Sequence, residues 1–444
     1  MKQRKSDVAK KGMTRRELLR DASSTGLTLA AASALAPFWL AGTAGRARGA
    51  AAESVKVGIL HSLSGFMAIS EKSLNEVEKM AIEEINAAGG VMGKTIEAVE
   101  KDPASDFDKG FPEKARELLL QDNVVAVFGC WTSASRKSVL PVFEENNGLL
   151  FYPVQYEGNE CSKNVVYTGA APNQQIIPAI DYLWKEMGKR KFYLLGSDYI
   201  FPRTANQIIR AQLKNVYQAE PAQEKYADLK EKDFKEFVDD IKKVKPDVIF
   251  STINGDSNLP FYNELAANGI TAKDVPVCAV SVAEDELRGL TRDKFVGHLA
   301  AWNYFQSVDL PKNKEFVKKF KDKYGAARVT DDPIEAAYFQ VYLWKLAVEK
   351  AGSTEVDKVR EAIRDLEFEA PGGKVKVDGK NMHTWKPFRM GKIQEDGQFE
   401  IIFESKKDGK VVAVRPEPYP RVAYNKDCDW IKSPSKGEID LSKP

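Results

Sequence analysis

Short runs of apolar residues alternate along the chain with segments in which apolar residues recur every three or four positions. Runs of the first kind predict buried β-strands, and the longer periodic segments predict amphipathic helices. From residue 55 the predicted elements alternate between strand and helix, over residues 55–60, 74–88, 96–100, 111–122, 124–128, 135–145 and 149–152. This order predicts a parallel sheet with helices on both faces.

The alternation resumes after Pro172. It predicts helices over 174–185, 203–215, 233–244 and 258–267 and strands over 191–196, 247–253 and 275–280. Two helices follow at 313–324 and 333–351, then short antiparallel strands at 373–377, 387–393 and 399–403, with Asp-Gly turns at 378–379 and 396–397. We therefore predict an α/β protein whose second lobe is built like the first.

The first 52 residues predict an export signal. Arg15 and Arg16 form a twin-arginine motif, an Ala-rich apolar run follows over 26–40, and small residues over 41–52 supply a cleavage region. The alternative, a membrane-spanning helix, is disfavoured because the run is short and Pro37 interrupts it. We expect export to a bacterial periplasm by the twin-arginine route.

Removal of the signal changes the charge balance. The whole chain has 66 basic and 64 acidic residues; the first 52 residues hold ten of the basic and three of the acidic ones, which leaves a net charge of −5. This balance argues against a nucleic-acid partner. The 392 residues that remain are too many for one compact core and suit two lobes.

The sequence gives little support to an enzyme. Its three histidines, His61, His298 and His383, do not have the spacing of metal ligands, and there is no G-x-S-x-G motif. The four cysteines include no C-x-x-C pair, and the sequence does not decide whether two of them form a disulfide. Cys130 at a predicted helix start is a conceivable thiol nucleophile, but no base accompanies it. We expect no catalytic residue, no metal and no cofactor, although a two-domain secreted hydrolase would show the same alternation.

Polar and aromatic residues cluster in two loops of the first predicted lobe. The loop after its third strand holds Trp131, Thr132 and Ser133 and leads into a helix, and the fourth strand ends at Tyr152, shortly before Gln155. The carboxyl ends of parallel strands meet at one sheet edge, where ligands usually bind, and a helix N-terminus adds N–H donors. The two loops predict a small polar pocket with aromatic walls.

Other predicted strand ends supply further candidates. Ser64 follows the first strand, whereas Tyr199, Asn254, Asp256 and Glu284 follow strands of the second lobe. A tyrosine hydroxyl can reach across a cleft, and a carboxylate can accept N–H bonds from an amide or ammonium group. The alternatives are that Ser64 only holds a turn, Asp256 caps the next helix and Glu284 is solvated.

Five segments carry a resemblance to a known family. They are similar to segments of the substrate-binding proteins of urea ABC transporters, and less closely to short-chain amide and formamide binders and to the cytoplasmic amide sensor of amidase operons. All of these are clamshell proteins of the branched-chain amino acid receptor type, and the resemblance extends over residues 55–430. The segments read GCWTSASRKSVLPVFEENNGLLFYPVQYEG, YTGAAPNQQIIPAIDYL, GSDYIFPRTAN, TINGDSN and AAWNYFQSVD.

The resemblance implies a type I clamshell in which each lobe is a mostly parallel sheet flanked by helices, joined by three hinge crossovers near Ala170, Ala301 and Asp365. The first lobe would then comprise residues 53–170 and 301–365, the second 171–300 and 366–430, and a tail 431–444. The ligand would lie between the lobes. The resemblance implies ligand contacts from Ser133 and its neighbours, Tyr152, Val154, Gln155 and Tyr199.

The expected function is that of a monomeric periplasmic receptor that binds urea and delivers it to an inner-membrane ABC permease. Urea presents one carbonyl acceptor and four N–H donors in a plane, and the predicted loops offer hydroxyls, amides and flat aromatic faces. A receptor for formamide or acetamide is the main alternative. A regulatory amide sensor is disfavoured because the predicted signal exports the chain.

Overall fold

The computed structural model describes residues 53–160, 162–288, 291 and 294–417. The predicted export signal, the predicted tail at 431–444, Cys161 and Cys428 lie outside these residues. No helix within the described ranges is both long enough and apolar enough to cross a membrane.

The first part of the chain forms a sheet of five parallel strands in the order β2-β1-β3-β4-β5. A π-helical turn at Glu117–Gln121 continues the second helix. In chain order the elements are β1 (Ser54–Leu60), α1 (Ala68–Ala87), β2 (Thr95–Lys101), α2 (Gly110–Arg116), β3 (Val127–Gly129), α3 (Ser133–Glu145), β4 (Leu150–Tyr152) and β5 (Val165–Tyr167).

The middle of the chain adds a second alternating series. Its elements are α4 (Ile176–Lys185), β6 (Phe192–Ser197), α5 (Ile200–Tyr217), β7 (Gln223–Ala227), α6 (Lys235–Val244), β8 (Val248–Thr252), α7 (Asn258–Ala267), β9 (Val277–Ala279), α8 (Glu284–Leu287) and β10 (Leu299–Trp302). Short 3₁₀ turns precede α4 at Pro172–Gln174 and α7 at Gly255–Ser257.

The last part of the chain contributes to both lobes. Its elements are α9 (Pro311–Tyr324), α10 (Asp332–Ala351), α11 (Val356–Ala362), β11 (Glu367–Ala370), β12 (Gly373–Val377), β13 (Thr384–Trp385), β14 (Arg389–Ile393), β15 (Phe399–Glu404), β16 (Lys406–Lys407) and β17 (Lys410–Val411). Strands β14 and β15 are antiparallel and complete a seven-stranded sheet in the order β15-β14-β10-β9-β8-β6-β7. The predicted Asp-Gly turn joins them, with Gly397 at φ 77°.

The sequence prediction misses three strands of the two large sheets: β5 and β10 are short buried apolar runs, whereas β7 has no apolar run at all. Strand β7 reads QEKYA, and it lies at a sheet edge with most residues only partly buried, so no apolar run marks it. Helix α1 begins at residue 68 instead of 74, and no capping side chain marks its start. Helix α7 begins and ends as predicted. The α/β architecture of two mostly parallel sheets flanked by helices is confirmed.

The buried side chains also indicate where the lobes divide. The first core cluster contains the first sheet, α1 and α10, and its Phe128 packs against Trp344 with ring centroids 6.1 Å apart. Val375, Val377 and Met382 belong to that cluster, whereas Phe388 and Met390 belong to a cluster on the second sheet. We therefore propose that the third crossover lies between β13 and β14 rather than at the predicted Asp365.

Candidate ligand-binding cleft

Strand ends from the two lobes face each other across a closed cleft. Gln155, in the loop after β4, donates from Nε2 to the Val280 carbonyl at 2.8 Å and to the Ser281 hydroxyl at 3.1 Å. Both acceptors follow β9 of the second sheet. A second contact joins α1 to α8, where Ser70 Oγ donates to Glu286 Oε1 at 2.8 Å. The lobes are therefore in direct contact both at the loop after β4 and along α1.

The loop after β3 is held by its neighbours in a single conformation. At Gly129 a Cβ would lie 2.3 Å from the Leu60 carbonyl oxygen, so only glycine fits there. Thr132 caps α3 by accepting from Ser135 N at 2.9 Å. The Trp131 carbonyl accepts from the Tyr152 hydroxyl at 2.7 Å. These contacts join the two predicted loops of the first lobe.

A fully buried arginine lies behind these loops. Arg136 on α3 donates from Nε to Glu160 at 2.8 Å, from Nη1 to Ser133 Oγ at 3.0 Å and from Nη2 to Glu157 at 3.0 Å. Its guanidinium also lies 4.9 Å from the centroid of the Tyr152 ring. Burial alone would raise the pKa of Glu160, but the charges of Arg136 and Lys137 hold it well below its ordinary value. The cluster fixes the start of α3 and the end of the second loop.

Tyr199 and Asn254 approach from the second lobe. Burial raises the pKa of the Tyr199 hydroxyl well above its ordinary value, and the neighbouring Tyr152 and Glu157 raise it further, while Arg136 and a hydrogen bond with Asn254 oppose the rise. Helix α5, which begins directly after Tyr199, contacts α3 of the first lobe. Two hydrogen bonds fix Asn254. Its Nδ2 donates to the Thr252 carbonyl at 3.0 Å, and its backbone N–H donates to Ser197 Oγ at 3.1 Å.

Three buried polar atoms of the cleft residues have no hydrogen-bond partner. They are one donor, Trp131 Nε1, and two acceptors, Gln155 Oε1 and Asn254 Oδ1. An unpaired buried polar group costs about 1–3 kcal/mol, so a closed cleft that leaves three of them unpaired favours a ligand that pairs with them. The acceptors come from opposite lobes.

Other predicted residues lie away from this group. Ser64 is exposed and donates to Asp102 Oδ2 of its own lobe at 2.8 Å. Asp256 is exposed beside Lys232, in a groove that Ile69 of α1 and Glu286 of α8 also line. Glu284 is buried at the start of α8 and accepts from the backbone N–H of Gln306 at 2.7 Å. Val154 is buried, with its backbone packed against Gly169. The structure thus groups Trp131, Thr132, Ser133, Tyr152, Gln155, Tyr199 and Asn254, and does not bring these four into that group.

Sequence reasoning did not single out Arg136, Glu157 and Ser281. A signal for Arg136 exists, since it lies three residues after Ser133 and therefore on the same side of α3. Glu157 lies two residues after Gln155 in the same loop. Ser281 has no local signal, because its partner Gln155 is 126 residues distant in the chain.

The cysteines and histidines of the described residues form no nucleophile or metal site. Burial raises the pKa of Cys130 well above its ordinary value, so the group is a neutral thiol at physiological pH. Burial lowers the pKa of His298 to about 4 and that of His383 to about 3. No cluster of three or more metal-ligating side chains occurs in the described ranges.

His61 lies between two buried glutamates of α1. Its Nδ1 is 3.4 Å from Glu71 Oε2 and its Nε2 is 3.1 Å from Glu78 Oε1. Burial alone would lower the pKa of His61, but Glu78 and Glu71 outweigh it and raise the pKa to about 9. This cluster connects the end of β1 to α1, the helix that contacts α8.

Stability should fall as the pH rises from about 5 to about 9. His61, with a raised pKa of about 9, stabilises the fold fully below its ordinary pKa, and this contribution is lost as the pH rises through 9. Burial raises the pKa of Glu284 to about 8 and that of Glu335 to about 7, so their contributions are likewise lost on alkalinisation. Glu160, whose pKa is lowered, opposes this only in acid, whereas His298 and His383, whose pKa values burial lowers, oppose it between pH 5 and about 6.5 and reduce the net fall. Since one pKa unit corresponds to about 1.4 kcal/mol, we expect a decrease on the order of a few kcal/mol.

Thermal denaturation at pH 5, 7 and 9 measures this decrease. His61→Gln removes one titrating group and should flatten the part of the profile between pH 7 and 9. A melting temperature that is higher at pH 9 than at pH 5 would contradict the assignment.

The comparisons with known proteins agree with this architecture. The family model described as periplasmic binding protein domain matches residues 55–425. The Leu/Ile/Val-binding protein homolog 6 of Brucella melitensis is 24% identical over 378 residues, which are 83% of this chain and 94% of that protein. The leucine-, isoleucine-, valine-, threonine- and alanine-binding protein of Pseudomonas aeruginosa is 26% identical, with 74% and 87% of the two chains covered.

A shorter match and two solved structures complete the comparison. A 111-residue segment is 30% identical to a protein called limonene hydroxylase of Geobacillus stearothermophilus, but the chain spans only 20% of that protein's length. The branched-chain amino acid transporter substrate-binding protein of Streptococcus pneumoniae, solved with isoleucine, has a TM-score of 0.70 at 20% identity, covering 82% of this chain and all of that one. A solute-binding protein of R. palustris, solved with 4-hydroxybenzoate, has a TM-score of 0.68 at 22% identity and covers 82% and 96%. At these identities the structures show the fold.

The relatives that match along most of this chain are binding proteins. The predictions of a two-lobe binding protein and of a receptor rather than an enzyme are confirmed. The chain belongs to the periplasmic binding protein domain family and is a periplasmic solute-binding receptor of an ABC transporter.

Proposed function

We propose that the receptor binds urea between its lobes and delivers it to an inner-membrane ABC permease as a monomer exported by the twin-arginine route. The observation that carries the proposal is the set of unpartnered buried atoms, Trp131 Nε1 in one loop and Gln155 Oε1 and Asn254 Oδ1 on opposite lobes. Urea has a carbonyl for the indole donor and N–H groups on two nitrogens for the two acceptors. Tyr152 and Tyr199 supply aromatic surface beside them.

The position of the acceptors favours urea over a short amide. Formamide and acetamide have a single nitrogen, so their N–H groups lie on one side of the carbonyl. Acceptors that approach from two lobes suit a ligand with N–H groups on both sides. An amide bound in the same place would leave one acceptor buried and unpaired, which costs about 1–3 kcal/mol. A receptor for short amides is the second candidate, because it would use the same donor and one of the same acceptors.

The ligands of the two solved structures carry a charged group that urea lacks. Isoleucine and 4-hydroxybenzoate, named with those structures, both carry a carboxylate. In this chain the buried cation nearest the loops, Arg136, is already paired with Glu157 and Glu160. This pairing supports a neutral ligand.

Titration calorimetry of the mature protein with urea, formamide, acetamide and leucine tests the proposal. We expect urea to bind at least about tenfold more tightly than either amide, as one lost hydrogen bond predicts, and leucine not to bind measurably. Tight binding of leucine together with no binding of urea would refute the proposal. A higher affinity for acetamide than for urea would favour the second candidate.

A further inference from the structure

The donors at the start of α3 are occupied by carboxylates of the protein itself. The Ser133 hydroxyl donates to Glu157 Oε2 at 2.5 Å, and Arg136 holds the other Glu157 oxygen at 3.0 Å. All three side chains are almost completely buried, with Ser133 only 1% and Glu157 only 2% exposed. A serine and an arginine at a helix start ordinarily suit an anion. Here a glutamate side chain takes that place.

The charges of this group are balanced. Arg136 contacts Glu157 and Glu160, and Lys137 contacts Glu160 at 2.8 Å, so two cations meet two carboxylates. No positive charge is left in this cluster for a ligand. The balance also explains how the arginine is buried, since an unpaired buried charge is strongly unfavourable.

Glu157 lies close to the residues of the cleft. Besides its bond to Ser133, it is among the charges that act on the hydroxyls of Tyr152 and Tyr199, one from each lobe. Its loop also carries Gln155, which bridges to the second lobe. A ligand that reaches Ser133 therefore meets the Glu157 carboxylate.

We propose that Glu157 determines specificity by excluding solutes that carry a carboxylate, so that the cleft accepts neutral ones. A ligand carboxylate beside Ser133 would face a like charge in a water-poor interior, which strongly disfavours its binding. An amide group of the same shape meets no such repulsion and can donate N–H bonds to Glu157. This inference rests on the proposed function for the location of the ligand and adds the charge class that the site selects.

Isosteric pairs separate charge from shape. Calorimetry at pH 7.5 compares acetamide with acetate and benzamide with benzoate, on the mature wild-type protein and on Glu157→Gln. For the wild type we expect the amide of any pair that binds to be preferred at least about 100-fold, which corresponds to the cost of a like-charge contact. Glu157→Gln should reduce that preference to about tenfold or less. Asp102→Asn removes a first-lobe carboxylate that contacts Ser64 and lies outside the Arg136 cluster, and it should keep the wild-type preference.

The outcomes are distinguishable. A wild-type protein that binds a carboxylate within tenfold of its amide overturns the inference even if Glu157→Gln does not fold, and so does a folded Glu157→Gln with an unchanged preference. If urea and acetamide fail to bind while benzamide is preferred over benzoate, the proposed function fails and the charge exclusion stands. If urea binds but acetate binds as tightly as acetamide, the proposed function stands and the charge exclusion fails. If no neutral solute binds, both fail.

Discussion

Arg136→Met should lower the free energy of unfolding by about 3–5 kcal/mol, because it leaves the buried carboxylates of Glu157 and Glu160 without their partner. Methionine approximates the length of the side chain, so lost volume is a small part of the effect. Urea is the proposed ligand and would itself stabilise the folded state, so guanidinium denaturation monitored by circular dichroism is the appropriate experiment.

The neighbouring residue provides the control. Lys137 also contacts Glu160 at 2.8 Å, but its side chain is 31% exposed. Lys137→Met should therefore cost less than about 1 kcal/mol. Equal losses for the two variants would mean that burial of the charges at Arg136 is not the source of the stability.

Gln155→Leu should weaken urea binding by about 10- to 100-fold, as expected for one or two buried groups left unpaired. The substitution removes the bonds to Val280 and Ser281 that join the lobes and the acceptor, Gln155 Oε1, that we assign to the ligand. Calorimetry with urea measures the affinity, and thermal denaturation without urea shows whether the fold itself is affected.

Gln175 is a matched control for this prediction. It donates to the same Val280 carbonyl at 3.3 Å and to the Ala301 carbonyl at 2.7 Å, but it lies at the start of α4, on the second lobe. Gln175→Leu should lower the melting temperature and change the affinity for urea less than about threefold, because stability and binding are affected at separate sites. If Gln155→Leu binds urea as tightly as the wild type, Gln155 has no part in the cleft.

The positions of the strands and helices followed from the sequence wherever local pattern decides them. Strand ends at Tyr152 and before Tyr199 were placed at the cleft because parallel strands present their carboxyl ends at one edge. Pairings between distant segments could not be predicted in this way. Glu157 was left unassigned because its partners lie on α3, 21 and 24 residues earlier. Likewise, nothing local in β12 indicates that Val375 packs into the first core cluster.

The acids Asp256 and Glu284 illustrate a second limit. Each follows a strand of the second sheet, as Asn254 does, so the pattern gives them equal standing. The direction of the chain after β8 separates Asp256 from Asn254. Gly255, with φ 63°, turns the backbone so that Asp256 is exposed, whereas Asn254 stays buried. A turn of this kind is decided residue by residue, and the periodicity of a sequence carries no record of it.

The position of Trp131 gives the receptor an optical probe of its own. The indole is only 2% exposed in the closed cleft, and its residue is bonded to Tyr152 through the carbonyl. Indole fluorescence shifts to longer wavelength when water reaches the ring. Opening of the lobes should therefore shift the emission of Trp131, and the difference between the spectra of the native protein and of Trp131→Phe separates this signal from that of the other tryptophans, without an attached dye.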